Sequence, residues 1–256
     1  MPKIAISGKG GVGKTTLATL LAYIYAGRGR RVLAIDADPN ANLASSLGFP
    51  EELVAGITPI SEMDELIYER TGARPGTYGT FFKLNPRVDD IPDRFSVTHR
   101  GVKLLVLGTI KEGGRGCICP ESALLRALVT HLLLYRDEVL IMDMYAGTEH
   151  LGRATAQAVD ALIIVVEPGL RSLQTARRIR KLAGDIGIER VYVVGNKVRN
   201  EGDRRFILDH LADFEVVGFI SMSPLAIEAD LRGVSVFDMD PQMVREAEAI
   251  VEKLNL

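Results

Sequence analysis

Seven short apolar runs alternating with stretches of helical periodicity constrain the fold of this chain more than any other feature. They are KIAIS (3–7), RVLAID (31–36), VKLLVLG (102–108), EVLIMD (138–143), ALIIVV (161–166), VYVVGN (191–196) and EVVGFI (215–220). The runs are continuous rather than alternating and rich in β-branched residues, the pattern of strands buried on both faces of a parallel sheet. Periodicity places helices from Thr15 to about Ala26 and near 121–135, 172–186, 203–213 and 241–254. Right-handed crossovers then put helices on both faces of the sheet. The reading is an α/β fold: one domain, 1–256, with a mostly parallel central sheet. Segment 59–100 breaks the rhythm with an acidic helical piece (61–70) and the Gly-, Pro- and charge-rich RPGTYGTFFKLNPRVDDIPDRF, and is read as an insertion on the rim of the sheet.

Ligands of such folds sit at the carboxyl ends of the strands, and the chemistry-bearing residues fall there. Gly8-Lys9-Gly10-Gly11-Val12-Gly13-Lys14-Thr15 fits G-x-x-x-x-G-K-[ST] between a strand and a helix. That context makes it a phosphate loop, whose glycines turn backbone N–H groups onto an anion at a helix N-terminus. In such a loop Lys14 reaches the β- and γ-phosphates, the Thr15 hydroxyl ligates Mg²⁺, and Thr16 touches the α-phosphate. RVLAID runs into Asp36-Ala37-Asp38-Pro39-Asn40, where Asp36 supports the Mg²⁺ shell or pins the loop. EVLIMD ends in Asp143, placed to hold Mg²⁺ through water, with Gly147 where a γ-phosphate could order the next loop.

Composition narrows the function class. The chain has 256 residues, 47% apolar and 25% charged, with mean hydropathy +0.13, a net charge of −2 and a pI near 6.1. These values exclude disorder and a uniformly basic nucleic-acid binder. No run approaches the 18 or more apolar residues of a membrane span. The opening MPKIAISGKGG lacks a signal-peptide core, and the closing VREAEAIVEKLNL is not a basic membrane-surface helix. The expectation is a cytoplasmic protein with neither membrane nor nucleic-acid partner.

The two cysteines, Cys117 and Cys119, lie in GGRGCICPE, a loop at about 113–120 before the helix at 121–135. They are too close together for an unstrained disulfide. Two thiolates so spaced can face one metal but fill only half of a four-coordinate site, and a second copy across a twofold axis completes S₄. Soft thiolates suit Zn²⁺, Ni²⁺ or Cu(I). None of the four histidines is assigned to metal: His131 is read as a core or interface residue, His99 and His210 as surface. Glu149 and His150, after the Asp143 loop, are read as a helix-start cap or a solvated polar pair, with coupling of nucleotide state to the metal loop or client as the alternative, and Ser172 as the cap of the helix at 172–186.

KGGVGKTT, with its second lysine, resembles the deviant phosphate loop of the MinD/ParA and nitrogenase-iron-protein superfamily. The resemblance implies an ATP-hydrolysing homodimer in which Lys9 reaches across to the partner's phosphates. It also implies that Asp38, the second aspartate of D-x-D-P, positions the attacking water. VVGNKV resembles the superfamily's adenine-reading element, so Asn196 and Lys197 are placed at the base with Gly10, Gly11, Val12 and Gly13 around the phosphates. SMSPLAIEAD (221–230) would form the opposite wall. Taken with DADP, C-x-C, MDMYAGTEHLGR (142–153) and VVEPGLRSLQT (165–175), the chain resembles the CooC family over essentially its whole length. That family implies a nickel-insertion ATPase maturing carbon monoxide dehydrogenase or the related acetyl-CoA synthase, with one nickel (or zinc) between paired C-x-C loops. The competing class is a MinD- or ParA-like positioning switch. It needs a membrane tail, which is not evident, or a basic face, for which ARRIRK (176–181) is the one candidate. An iron-protein-like electron donor needs two well-separated cysteines.

Overall fold

A computed structural model describes residues 1–76, 81–108, 119–145, 151, 155 and 157–256. The strands are β1 (Lys3–Gly8), β2 (Val32–Ala37), β3 (Val97–His99), β4 (Val102–Val106), β5 (Val139–Met144), β6 (Ala161–Val166), β7 (Val191–Val198) and β8 (Glu215–Ser221). They form one sheet in the order β3-β4-β2-β5-β1-β6-β7-β8, parallel throughout except for β3 against β4. β1, β2, β5 and β6 are buried at every position, which is why the sequence shows them as unbroken apolar runs.

Successive side chains of each strand enter different cores. Ile4, Ile6, Ala34 and Ile141 join the core beneath the helices Lys14–Gly27 and Pro241–Leu254. Ala5, Leu33, Ile35 and Leu140 join the core beneath Pro120–Tyr135, Leu170–Ile186 and Glu201–His210. The helix Pro241–Leu254 shows how the sequence enforces this. Met243, Ala247, Ile250, Val251 and Leu254 form one buried stripe, and the Asp240 carboxylate accepts from the N–H groups of Gln242 and Met243 at its start. Such a cap stabilises by about 1 kcal/mol.

Several boundaries differ from the sequence reading for local reasons. The helix expected at 203–213 runs Glu201–His210, because the Asn200 side chain accepts from the Asp203 N–H and starts it earlier. Ser172 does not cap the helix expected at 172–186. The helix is Leu170–Ile186, its N-cap is Gly169, and the Ser172 hydroxyl accepts from the Glu167 N–H at 3.1 Å. Within the segment read as a rim insertion lie the helix Asp64–Thr71, the short helix Ile91–Phe95 and β3. β3 gives no apolar run because an antiparallel edge strand needs only partial burial. Asp93 of this segment accepts two hydrogen bonds from Arg136 and one from Lys103, clamping it to the amino end of the sheet. Among the described residues no helix is long and apolar enough to cross a membrane.

The parallel register gathers the strand ends. Asp36 of β2 lies opposite Asp143 of β5, and Gly8 of β1 opposite Val165 of β6. The phosphate-loop candidate and both aspartate-bearing strands therefore finish at one edge.

Candidate nucleotide site

The loop from Gly8 to Lys14 is shaped by glycine where no other residue fits. Gly13 has φ 94°, and a Cβ there would stand 2.0 Å from Nδ2 of Asn196. Gly8 has φ 152°, and a Cβ would stand 2.4 Å from the Val165 carbonyl oxygen. The loop can thus lie against β6 and β7 only with hydrogen at both positions. It feeds directly into the helix Lys14–Gly27.

Around the helix start, residues from three strands converge. Lys14 is only 5% exposed, and its Nζ lies 3.9 Å from Oδ2 of Asp38. The Thr15 hydroxyl donates to Oδ2 of Asp143 at 2.6 Å. Asp143 is 1% exposed, and its other oxygen, Oδ1, is buried with no hydrogen-bond partner among the described residues. Burial pushes the Asp143 carboxyl up to about 7, against the Thr15 hydrogen bond that lowers it, and the nearby Asp36 charge raises it further. Asp36 is pushed up to about 6, again first by burial, although it accepts from the N–H groups of Leu43 at 2.9 Å and Asp38 at 3.2 Å. Asp36 therefore pins the loop that carries Asp38, one of its two expected roles.

A buried carboxylate oxygen without a partner among the described residues, beside a hydroxyl, suits a hard divalent cation that takes its other ligands from phosphate and water. The residues present fit Mg²⁺ for that reason. Both carboxyls have folded values above the unfolded 3.8. The native chain therefore binds more protons than the unfolded chain between about pH 4 and 7, and these groups erode stability as pH rises through that window. A bound cation reverses the penalty. The gain in melting temperature from Mg²⁺ and ADP is therefore expected to be larger at pH 8 than at pH 5.5 in the wild type. In Asp143→Asn most of this difference disappears. Differential scanning fluorimetry checks this, and an equal gain at both pH values contradicts it.

Asn196 is 5% exposed and turned into the loop: its Nδ2 donates to the Val12 carbonyl at 2.7 Å and its Oδ1 accepts from the Lys197 N–H at 2.8 Å. The Lys197 ammonium donates to the Gly11 carbonyl at 2.6 Å. Both residues thus brace the phosphate loop. The segment 221–230 contains the helix Pro224–Arg232. Its Ala226, Ile227 and Asp230 line a cavity of about 530 Å³ with Thr15, Thr16 and Asn42.

The Nζ of Lys9 sits 3.3 Å from Oε1 of Glu167, the residue after β6. Sequence reading assigned Glu167 no role. The available signal was its place, since it follows a buried strand at the same edge as Asp36 and Asp143.

Cys119 is half-buried before the helix Pro120–Tyr135, with its N–H donating to the Ser122 hydroxyl at 3.2 Å. Cys117, Gly147, Glu149 and His150 lie outside the described residues. His131 is half-buried against Tyr135, with burial holding its pKa down. His99 and His210 are not simply surface residues: each is half-buried, their rings 5.1 Å from Phe49 and 4.3 Å from Phe206.

Residues 3–236 match the CobQ/CobB/MinD/ParA nucleotide binding domain. The chain is 50% identical over 252 residues to the carbon monoxide dehydrogenase accessory protein CooC of Rhodospirillum rubrum, covering 98% of this chain and 95% of that one. The chain is a CooC-type member of the MinD/ParA nucleotide-binding family. This ATPase is also 47% identical to an uncharacterized ATP-binding protein of Methanocaldococcus jannaschii, over 97% of this chain and 95% of that protein. Its fold matches the MinD cell division protein of Aquifex aeolicus with a TM-score of 0.69 at 23% identity, covering 100% of this chain and 97% of the other. The CooC-type ATPase therefore has the fold expected of it.

Proposed function

We propose that this ATPase works as a homodimer that delivers nickel to carbon monoxide dehydrogenase, or to the related acetyl-CoA synthase. The observation that carries this reading is the 50% identity to a carbon monoxide dehydrogenase accessory protein, spread over 98% of the chain. The C-x-C pair supports it, because nickel suits soft thiolates and each subunit supplies half of a four-coordinate site. Zinc can take the same place.

In this reading the N–H groups of Gly10, Gly11, Val12 and Gly13 and the Lys14 ammonium hold the triphosphate, and Thr16 contacts the α-phosphate. Thr15, and Asp143 through water, would hold Mg²⁺, with Asp36 behind them, and the ion would supply neutralising charge for the triphosphate. Adenine lies toward Ala226 and Ile227, with the second amide hydrogen of Asn196 free to read its edge and Lys197 holding the loop. Asp38 orients a water and accepts its proton as the oxygen attacks the γ-phosphorus. The bond to the bridging oxygen breaks, leaving ADP and phosphate. Lys9 crosses to the partner's phosphates and offsets the charge there. ATP biases the metal site only through its different affinities for the open and closed dimer.

Transfer to the client tests this reading. Nickel-loaded protein mixed anaerobically with nickel-free carbon monoxide dehydrogenase is expected to generate activity with ATP. Lys14→Ala protein carrying the same nickel should stay near background. Equal activation by both contradicts the proposal.

A further inference from the structure

Glu167 holds two ammonium groups at once. Its Oε1 lies 3.3 Å from Nζ of Lys9, and its Oε2 lies 3.9 Å from Nζ of Lys197. Lys197 in turn donates to the Gly11 carbonyl at 2.6 Å, so one carboxylate ties the first lysine of the phosphate loop to the brace beneath the same loop. The carboxylate is itself anchored. Its residue follows β6 directly, and its N–H donates to the Ser172 hydroxyl in the first turn of the helix Leu170–Ile186. Lys197 adopts φ 56°, a left-handed conformation that a side-chain-bearing residue keeps only when its surroundings hold it there.

We infer that Glu167 is a positioning residue that restrains Lys9 within its own subunit, in competition with the partner's triphosphate for the same ammonium. The inference rests on the proposed role of Lys9 in the dimer. A lysine paired at home must give up that pair before it reaches across an interface, so the Glu167 carboxylate sets a threshold for closure. The pair is partly exposed, with side-chain exposures of 41% for Lys9 and 29% for Glu167. An ion pair that wet is weak, and a multiply charged phosphate displaces it. Glu167 thus acts as a tether that nucleotide-bound dimers overcome. The same carboxylate adds negative charge beside the loop, which further favours the open state until nucleotide and partner are both present.

Sedimentation velocity with Mg²⁺ and adenylyl imidodiphosphate, over a range of protein concentrations, tests the tether. Glu167→Gln keeps the shape and the backbone bond to Ser172 and removes the charge. It is expected to lower the midpoint concentration for dimerisation by about twofold to thirtyfold, the range for two partly exposed ion pairs released per dimer. Glu167→Asp, which keeps the charge, should stay nearer the wild type. The direction separates this role from a merely structural one, because loosening the loop would weaken the dimer and lower the melting temperature. A Glu167→Gln midpoint equal to or above that of the wild type overturns the inference and leaves the dimer reading intact. A wild type that stays monomeric at every concentration overturns both.

Discussion

Asp38→Asn is expected to hydrolyse ATP at least about 100-fold more slowly than the wild type, the usual loss on removing a positioned base. Its affinity for Mg-ATP should stay within a few-fold. The structure separates the two effects. Asp38 stands at the mouth of the site, its Oδ1 accepting from the Asn40 N–H at 3.0 Å and its Oδ2 3.9 Å from the Lys14 ammonium. Asparagine can preserve the short turn to Asn40 and loses only the negative charge. The phosphate contacts expected from the loop amides and Lys14 do not pass through that carboxylate. Asp36 cannot take over, because it is buried and committed to the N–H groups of Leu43 and Asp38. Single-turnover hydrolysis alongside isothermal titration with a non-hydrolysable analogue checks both halves. A loss of affinity as large as the loss of rate would make Asp38 a binding residue instead.

Local pattern is what the sequence shows most plainly. Strands buried on both faces show as unbroken apolar runs, so β1, β2, β5 and β6 are legible, and glycines at fixed spacing between a strand and a helix mark the loop from Gly8 to Lys14. The parallel register then brings Asp36 opposite Asp143, as expected for two aspartates at strand ends. Contacts across the sheet were not legible. Asn196 sits 184 residues from Val12 in sequence, and the bond between them shows it bracing the loop, which its planar amide alone does not reveal. Glu167 gives no local signal for the same reason, since its partners are Lys9 and Lys197 rather than its neighbours. Ser172 near a helix start suggests a cap, whereas the backbone of Gly169 begins the helix and the Ser172 hydroxyl turns back to Glu167. The edge strand β3 is short and half-buried and has no periodic signal to give.

The second large effect belongs to the cysteine pair. The double variant Cys117→Ala/Cys119→Ala is expected to lose bound nickel entirely while binding ATP as the wild type does. Alanine offers no metal donor, and one surviving thiolate per subunit would leave a shared site with two of four ligands. The fold should tolerate the change. At Cys119 the chain is fixed through the backbone, whose N–H donates to the Ser122 hydroxyl and whose carbonyl accepts from that hydroxyl at 3.0 Å. Lys14, Thr15 and Asp143, the proposed nucleotide residues, sit on other elements and do not depend on it. Loss of ATP binding together with nickel would instead mean that the substitution had unfolded the protein.

Native mass spectrometry of protein purified without oxygen and supplied with nickel and ATP addresses the shared site most directly, because mass reports subunit number and metal count together. One nickel on each two-subunit species, and none on the double-alanine protein, is the expected result. Nickel bound one-to-one on single subunits, or retained after both cysteines are replaced, would contradict a metal held between two copies of this chain.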